Sequence, residues 1–207
     1  MGVLLTETEM DEIAFRTHAR VGNYHKNENI SPKSGGEGTI GLLQEGIVYL
    51  CVENERYERN ILQVFRPGDM LHADMLIGVR RGVSYLIAKY PSRVLMVREE
   101  ELKQLARSYE RWRTRLETLL VHVLPQRMLA NSYMLHQRSP RMKLLAYFRQ
   151  ECALQETNAL TLPMPFSDLA EYLGVDRSAM MKEMTRLKQE GIVTGTRRSI
   201  VFHDMAE

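Results

Sequence analysis

Residues 166–189, FSDLAEYLGVDRSAMMKEMTRLKQ, constrain the chain more than any other stretch. They predict two short helices joined by a tight turn. The first runs from Ser167 to about Leu173, with Ser167 as its cap, because a serine hydroxyl can accept a bond from a first-turn N–H. Leu169, Ala170 and Leu173 fall on one face. Gly174 stands where a left-handed residue ends a helix, which is least costly without a Cβ. Val175 pins the turn and Asp176 caps a second helix, where Met180, Met184 and Leu187 recur on one side. The other side carries Arg177, Ser178, Lys182, Arg186 and Gln189. This is the pattern of a helix-turn-helix with a polar, cation-bearing second helix. A solvated helical hairpin would show the same amphipathic spacing.

The following residues weigh against the plain hairpin. Gly191 ends the second helix, Ile192 to Thr194 lead into Gly195, and Ser199 to Phe202 read as a returning strand. Thr196, Arg197 and Arg198 form the tip between them. A two-stranded wing with two arginines at its tip is placed to meet phosphates. Upstream, Ser139 can cap a supporting helix whose first position suits Pro140. Residues 160–165, LTLPMP, read as extended, since proline biases its predecessor away from helix.

With these elements in place, the chain resembles the Crp/Fnr family of bacterial transcription regulators. The carrying residues are HQRSPRMKLLAYF at 136–148 and PFSDLAEYLGVDRSAMMKEMTRLKQEGIV at 165–193. The likeness is specific in the C-terminal third and diffuse elsewhere, but it follows the whole length in order. It implies an α+β architecture: an effector-sensing, cyclic-nucleotide-binding-like β-roll (a jelly roll) over 1–107, a long dimerisation helix over 108–137, and a winged helix-turn-helix DNA-binding domain over 138–207.

The rest of the sequence is compatible with that order. Residues 6–20 suggest a short helix. Between Val21 and Arg98, strands are expected at Gly22–His25, Gly38–Leu43, Gly46–Val52, Asn60–Phe65, Ser84–Ala88 and Arg93–Val97. Their regular spacing favours an all-β barrel or jelly roll over alternating βαβ units. Pro67–Gly68–Asp69 is a turn signal. The resemblance fits ILQVFRPGDML at 61–71 to the central strand and turn of the β-roll. In cyclic-AMP receptors that turn continues into Gly-Glu, and an Arg-Ser or Arg-Thr pair follows later. The glutamate holds the ribose and the arginine the phosphate. Here His72 and Ala73 stand at the first pair and Gly82 and Val83 at the second. Arg80 and Arg81 are near, but out of register. With both handles gone, burying the phosphate would be costly, so cyclic AMP is not the expected ligand. The effector is unknown, and the pocket candidates are His72, Arg80, Arg81 and Trp112. A loop histidine with no ligand role is the plain alternative for His72.

Nothing points to catalysis. The six histidines, 18, 25, 72, 122, 136 and 203, lack the close pairing of a metal site; no G-x-S-x-G, Walker loop or Cys-x-x-Cys is present. Two cysteines, Cys51 and Cys152, cannot supply a four-cysteine iron–sulfur cluster or a disulfide framework. No stretch approaches the ~20 apolar residues of a membrane span. The N-terminus reads as neither signal peptide nor anchor, and a cytoplasmic location is expected. The net charge of +2 leaves any DNA affinity to the placement of cations rather than to their total.

Glu99 to Leu105 predicts a short helix, and Ser108 to Gln137 a long one. Trp112, Leu116, Leu119, Val123, Ala130 and Tyr133 form a heptad-like stripe with two possible partners. One is the same helix of a second copy, and the other is the chain's own barrel. Pro125 lies inside this helix and should kink or break it, because it removes a backbone bond and pushes on the carbonyl of Val121.

The resemblance implies a homodimer on double-stranded DNA, with RNA polymerase as a further partner. Arg177, Ser178 and Lys182 are the candidates for base reading, whereas Arg186, Lys188, Arg197 and Arg198 are candidates for phosphate contacts. Two heads ~34 Å apart would read a near-palindromic site. A different class stays open: a ligand-binding or scaffold protein whose helical head contacts another protein.

Overall fold

The computed structural model describes residues 5–30, 38–53, 55, 59–72, 84–196 and 198–203. The chain divides into two compact units, Gly2–Pro125 and Gln126–Glu207.

The first unit holds α1 (Glu7–Arg16), β1 (Arg20–Tyr24), β2 (Thr39–Glu45), β3 (Val48–Glu53), β4 (Arg59–Phe65), β5 (Met70–Leu71), β6 (Ser84–Ala88), β7 (Ser92–Arg98), α2 (Glu99–Ser108) and α3 (Glu110–Thr118). Every expected strand is present, Ser84–Ala88 with the expected bounds and the others with ends shifted by at most two residues, and the two-residue β5 is added. The strands form two antiparallel sheets, ordered β1-β7-β2-β5 and β4-β3-β6. Leu43, Leu71, Val94 and Met96 from the first sheet meet Val48, Leu50, Phe65 and Leu86 from the second in one buried cluster. The other face of the first sheet presents Ile40, Leu42, Leu95 and Val97 to the helices. A sheet covered on both sides needs apolar residues at consecutive positions, which is why β2 and β7 do not alternate cleanly. The Pro67–Gly68–Asp69 turn forms as expected: Gly68 has φ 91 and Asp69 Oδ2 accepts the Arg66 N–H at 2.7 Å.

Thr6 caps α1 through a reciprocal capping box with Glu9. Glu9 also receives a two-pronged bond from Arg115, Nε to Oε1 at 2.7 Å and Nη2 to Oε2 at 3.1 Å. Beside it, Trp112 donates Nε1–H to Glu12 at 3.2 Å. Trp112, Leu116 and Leu119 are buried with Met10, Ile13 and Leu102 in the cluster between helices and sheet.

This placement corrects the helical stripe read from sequence. Its N-terminal members are core residues of their own unit, so Trp112, Leu116 and Leu119 do not offer an open face to a second copy. Tyr109, extended at φ −133, separates α2 from α3, between the expected short helix and the expected long one. After α3 the chain passes through a π-helical turn, Leu119–Val123, into α4 (Leu124–Leu135). The π turn ends at Val123, two residues before Pro125. Proline has no N–H for the carbonyl four residues back, and widening the turn accommodates that loss. The side chain of Val123 lies outside the described ones.

The second unit contains most of α4, then α5 (Pro140–Gln155), β8 (Ala159–Thr161), α6 (Phe166–Leu173), α7 (Arg177–Gln189), β9 (Val193–Gly195) and β10 (Ser199–Phe202). Ser139 caps α5 by accepting the Met142 N–H at 3.2 Å, with Pro140 at the first position as expected. The strands form one antiparallel sheet, β8-β10-β9, and the extended stretch near Leu160 pairs with the wing. Leu144, Phe148, Leu169, Leu173, Met180, Met184, Leu187, Ile200 and Phe202 are buried.

Glu101 gives the first unit an acid-sensitive contact. Its Oε1 accepts from Arg98 at 2.9 Å and from the His18 ring at 2.8 Å. The Arg98 hydrogen bond is the main cause that holds this carboxyl down to about 2, against an ordinary 4.5. A folded-state value below the unfolded one means that the contribution is complete above pH 4.5 and fades as pH falls toward 2. Glu101→Gln should therefore flatten that part of the acid-unfolding curve. The fluorescence of Trp112, the chain's one tryptophan, reports it.

Candidate nucleic-acid interface

The geometry of α6, the turn and α7 follows from local chemistry. Gly174 adopts φ 60, and its N–H bonds to Glu171 O at 3.1 Å while Val175 N–H reaches Ala170 O at 3.0 Å. These bonds satisfy carbonyls that the end of α6 leaves open. Lys143 of α5 adds a third, from Nζ to Leu173 O at 2.8 Å. Asp176 then caps α7 by accepting the Ala179 N–H at 2.9 Å. One expected cap is absent. Pro165 occupies the cap position of α6, and Ser167 lies inside the helix with its hydroxyl directed to Asp168 Oδ1 at 3.0 Å.

Met180, Met184 and Leu187 are buried, which sets the roll of α7 about its axis. Arg177, Ser178, Lys182, Arg186 and Lys188 are all exposed as a result. Two of these cations also have partners inside the unit. Arg186 Nη1 donates to Glu183 at 2.6 Å. Lys188 Nζ donates to Gly195 O at 3.0 Å and so ties α7 to the wing. Gly195 has φ 105, and a Cβ there would lie 2.3 Å from Ser199 O, so the wing turn requires glycine. Thr196 N–H closes the turn on Ser199 O at 2.8 Å. Arg198 is exposed at the wing, and Arg197 lies outside the described residues.

Contacts that the sequence pattern did not reveal hold the far end of α7. Arg141 grips Glu190 with Nη1 to Oε1 at 3.0 Å and Nη2 to Oε2 at 2.5 Å. This bond is the main cause that lowers the Glu190 carboxyl and raises the Arg141 guanidinium from their ordinary values. The partners are 49 residues apart, beyond any helical spacing. Sequence reading also passed over Met181, 38% exposed among the polar residues of α7. Its signal was available, since it falls one residue off the Met180–Met184–Leu187 period.

Two of the four effector candidates lie among the described residues. His72 follows β5 with φ 60. Trp112 is buried in the first unit's helix–sheet core. Arg80 and Arg81 lie outside the described residues. A cavity of about 540 Å³ in the first unit is lined by His18, Arg20, Gly22, Tyr24, Thr39, Met96 and Arg98 rather than by His72 or Trp112.

Residues 142–207 match the Crp-like helix-turn-helix domain. No curated protein matches the chain in sequence. Solved structures share its fold over nearly the whole length. A cyclic nucleotide-binding domain containing protein from Listeria monocytogenes has a TM-score of 0.80 at 16% identity, with 97% of this chain and 99% of that one covered. FixK2 from Bradyrhizobium japonicum has 0.69 at 19%, covering 90% and 93%. A transcriptional regulator of the crp/fnr family from Eubacterium rectale has 0.59 at 14%, covering 96% and 91%. The fold is thus a β-roll followed by a winged helix-turn-helix. Its C-terminal third, residues 142–207, is the part that matches a Crp-like helix-turn-helix domain in sequence.

Loss of the α7 cap isolates the contribution of the turn. Asp176→Ala should lower the stability of the second unit by about 1 kcal/mol. Urea unfolding followed by far-ultraviolet circular dichroism should show the shift, while the Trp112 fluorescence transition of the first unit stays in place.

Proposed function

We propose that the chain is a dimeric, sequence-specific DNA-binding regulator of transcription, controlled by an effector other than cyclic AMP. The carrying observation is the exposed face of α7: Arg177, Ser178 and Lys182 point outward because Met180, Met184 and Leu187 point inward. A helix of this kind enters the major groove with its first turns against base edges. Arg177 and Lys182 act on bases, where a bidentate contact is worth ~1–3 kcal/mol of discrimination. Arg197 and Arg198 at the wing position the head on phosphates. Arg186 supports the same role from beside Glu183. Lys188 is reassigned from phosphate contact to bracing the wing, because its ammonium already serves Gly195 O.

The dimer surface moves with the burial of Trp112, Leu116 and Leu119. On α4, Met128, Leu129 and Tyr133 are 69, 71 and 67% exposed, on the side away from buried Met134. Three large apolar side chains together on one helix face call for a cover, and the same face of a second copy supplies it. Ala130, half-buried, borders the patch. Two heads presented symmetrically account for a near-palindromic target, and RNA polymerase is the further partner of such a regulator. The loss of the ribose and phosphate handles, with His72 and Ala73 at the first pair and Gly82 and Val83 at the second, supports control by some other molecule. A non-enzymatic, cytoplasmic protein follows from the same reading.

Two measurements test it. In fluorescence anisotropy across salt, Lys182→Ala should flatten sequence preference more than it weakens non-specific binding. Arg197→Ala with Arg198→Ala should instead weaken all duplexes alike and reduce the salt slope. Equal behaviour of the two would defeat the division between base reading and phosphate positioning, and no binding at low salt would defeat the DNA assignment. In sedimentation velocity, Met128→Glu with Leu129→Glu should shift a dimer to a monomer; an unchanged dimer would place the interface elsewhere.

A further inference from the structure

We propose that Met181 is a specificity-determining residue that selects thymine through contact with its C5-methyl group. The inference rests on the DNA-binding reading above and deepens it.

Three methionines lie on α7, and the structure treats them differently. Met180 and Met184 are 0 and 1% exposed in the core, whereas Met181 is 38% exposed. Successive residues of a helix are rotated by about 100°, so burying Met180 turns its neighbour out of the core. On that flank Met181 lies next to Ser178 at i−3 and Thr185 at i+4, with Arg177 at i−4, the spacings at which helical side chains meet. It therefore sits within the group of side chains assigned to base edges. Thr185 strengthens the apolar character of this spot. Its hydroxyl donates to Met181 O at 3.0 Å, so the hydrogen that could have gone to a base is spent on the helix.

An exposed methionine has no charge or strong hydrogen bond to offer a phosphate. In the major groove, the apolar group that distinguishes one base from the others is the thymine C5-methyl. Methionine suits it, since an unbranched, polarizable thioether adapts to small apolar shapes. Met181 would thus add a methyl-reading contact to the polar contacts of Arg177 and Lys182.

The test deletes that methyl alone. Duplexes bound by the full chain are first selected from a random pool, and each thymine of the selected half-site is then replaced by uracil. Wild-type protein should lose about fourfold in affinity at one position per half-site, the worth of one buried methyl. Met181→Ala and Met181→Gln should show no loss at that position, while binding random duplex at low salt as wild type does. If every uracil duplex weakens wild type and both variants equally, or weakens none of them, the assignment of Met181 is overturned and the DNA reading stands. If no duplex is bound at all, the DNA reading fails and this inference goes with it.

Discussion

The orientation of α7 depends on burying one side of it. Met180, Met184 and Leu187 are almost fully enclosed, and each such side chain contributes about 1.5–3 kcal/mol. Solvated ion pairs on the same helix, such as Arg186–Glu183, contribute roughly 0–1 kcal/mol each. The apolar face therefore decides which way the helix is turned, and the charged face takes what is left. Asp176 and Gly174 fix where the helix starts and how the chain enters it. Together these few residues project Arg177, Ser178 and Lys182 outward with no contact from those three side chains themselves.

The second constraint is a missing hydrogen bond. Pro125 cannot supply the N–H that a continuous helix needs, and the chain answers with a π turn over Leu119–Val123 just ahead of it. The division between the two compact units falls immediately after this proline. Residues before it pack into the first unit, with Trp112 held by Glu12 and Arg115 by Glu9. Residues after it carry the exposed apolar side of α4. What reads as one stripe is thus two stretches: a core seam, then an exposed apolar patch.

Much of the winged helix-turn-helix was legible in the chain because its determinants are local. A cap needs an aspartate next to the first turn, a left-handed helix end needs a glycine, and a buried face needs apolar residues three and four apart. Each is a statement about neighbours in sequence, so Gly174, Asp176, Ser139–Pro140 and the wing strands could be placed. The Ser167 cap failed because two chemically plausible starts lay side by side, and Pro165 took the position. The bond from Lys188 to Gly195 O could not be read in advance, because that carbonyl belongs to the wing and only the folded hairpin brings it within reach.

By itself, then, the sequence determined the order of elements, an all-β barrel or jelly roll followed by a winged helix-turn-helix, and the faces that α6 and α7 bury, since these follow from spacing and backbone preference over a few residues. The tertiary structure alone decided which surface each face meets. Trp112, Leu116 and Leu119 could have lined a second copy or their own sheet, and periodicity is the same in both cases. Likewise, Arg141 and Glu190 carry no mark of each other in sequence. Burial and ion pairing of this kind are set by contacts between distant segments, and these exist only once the chain has closed on itself.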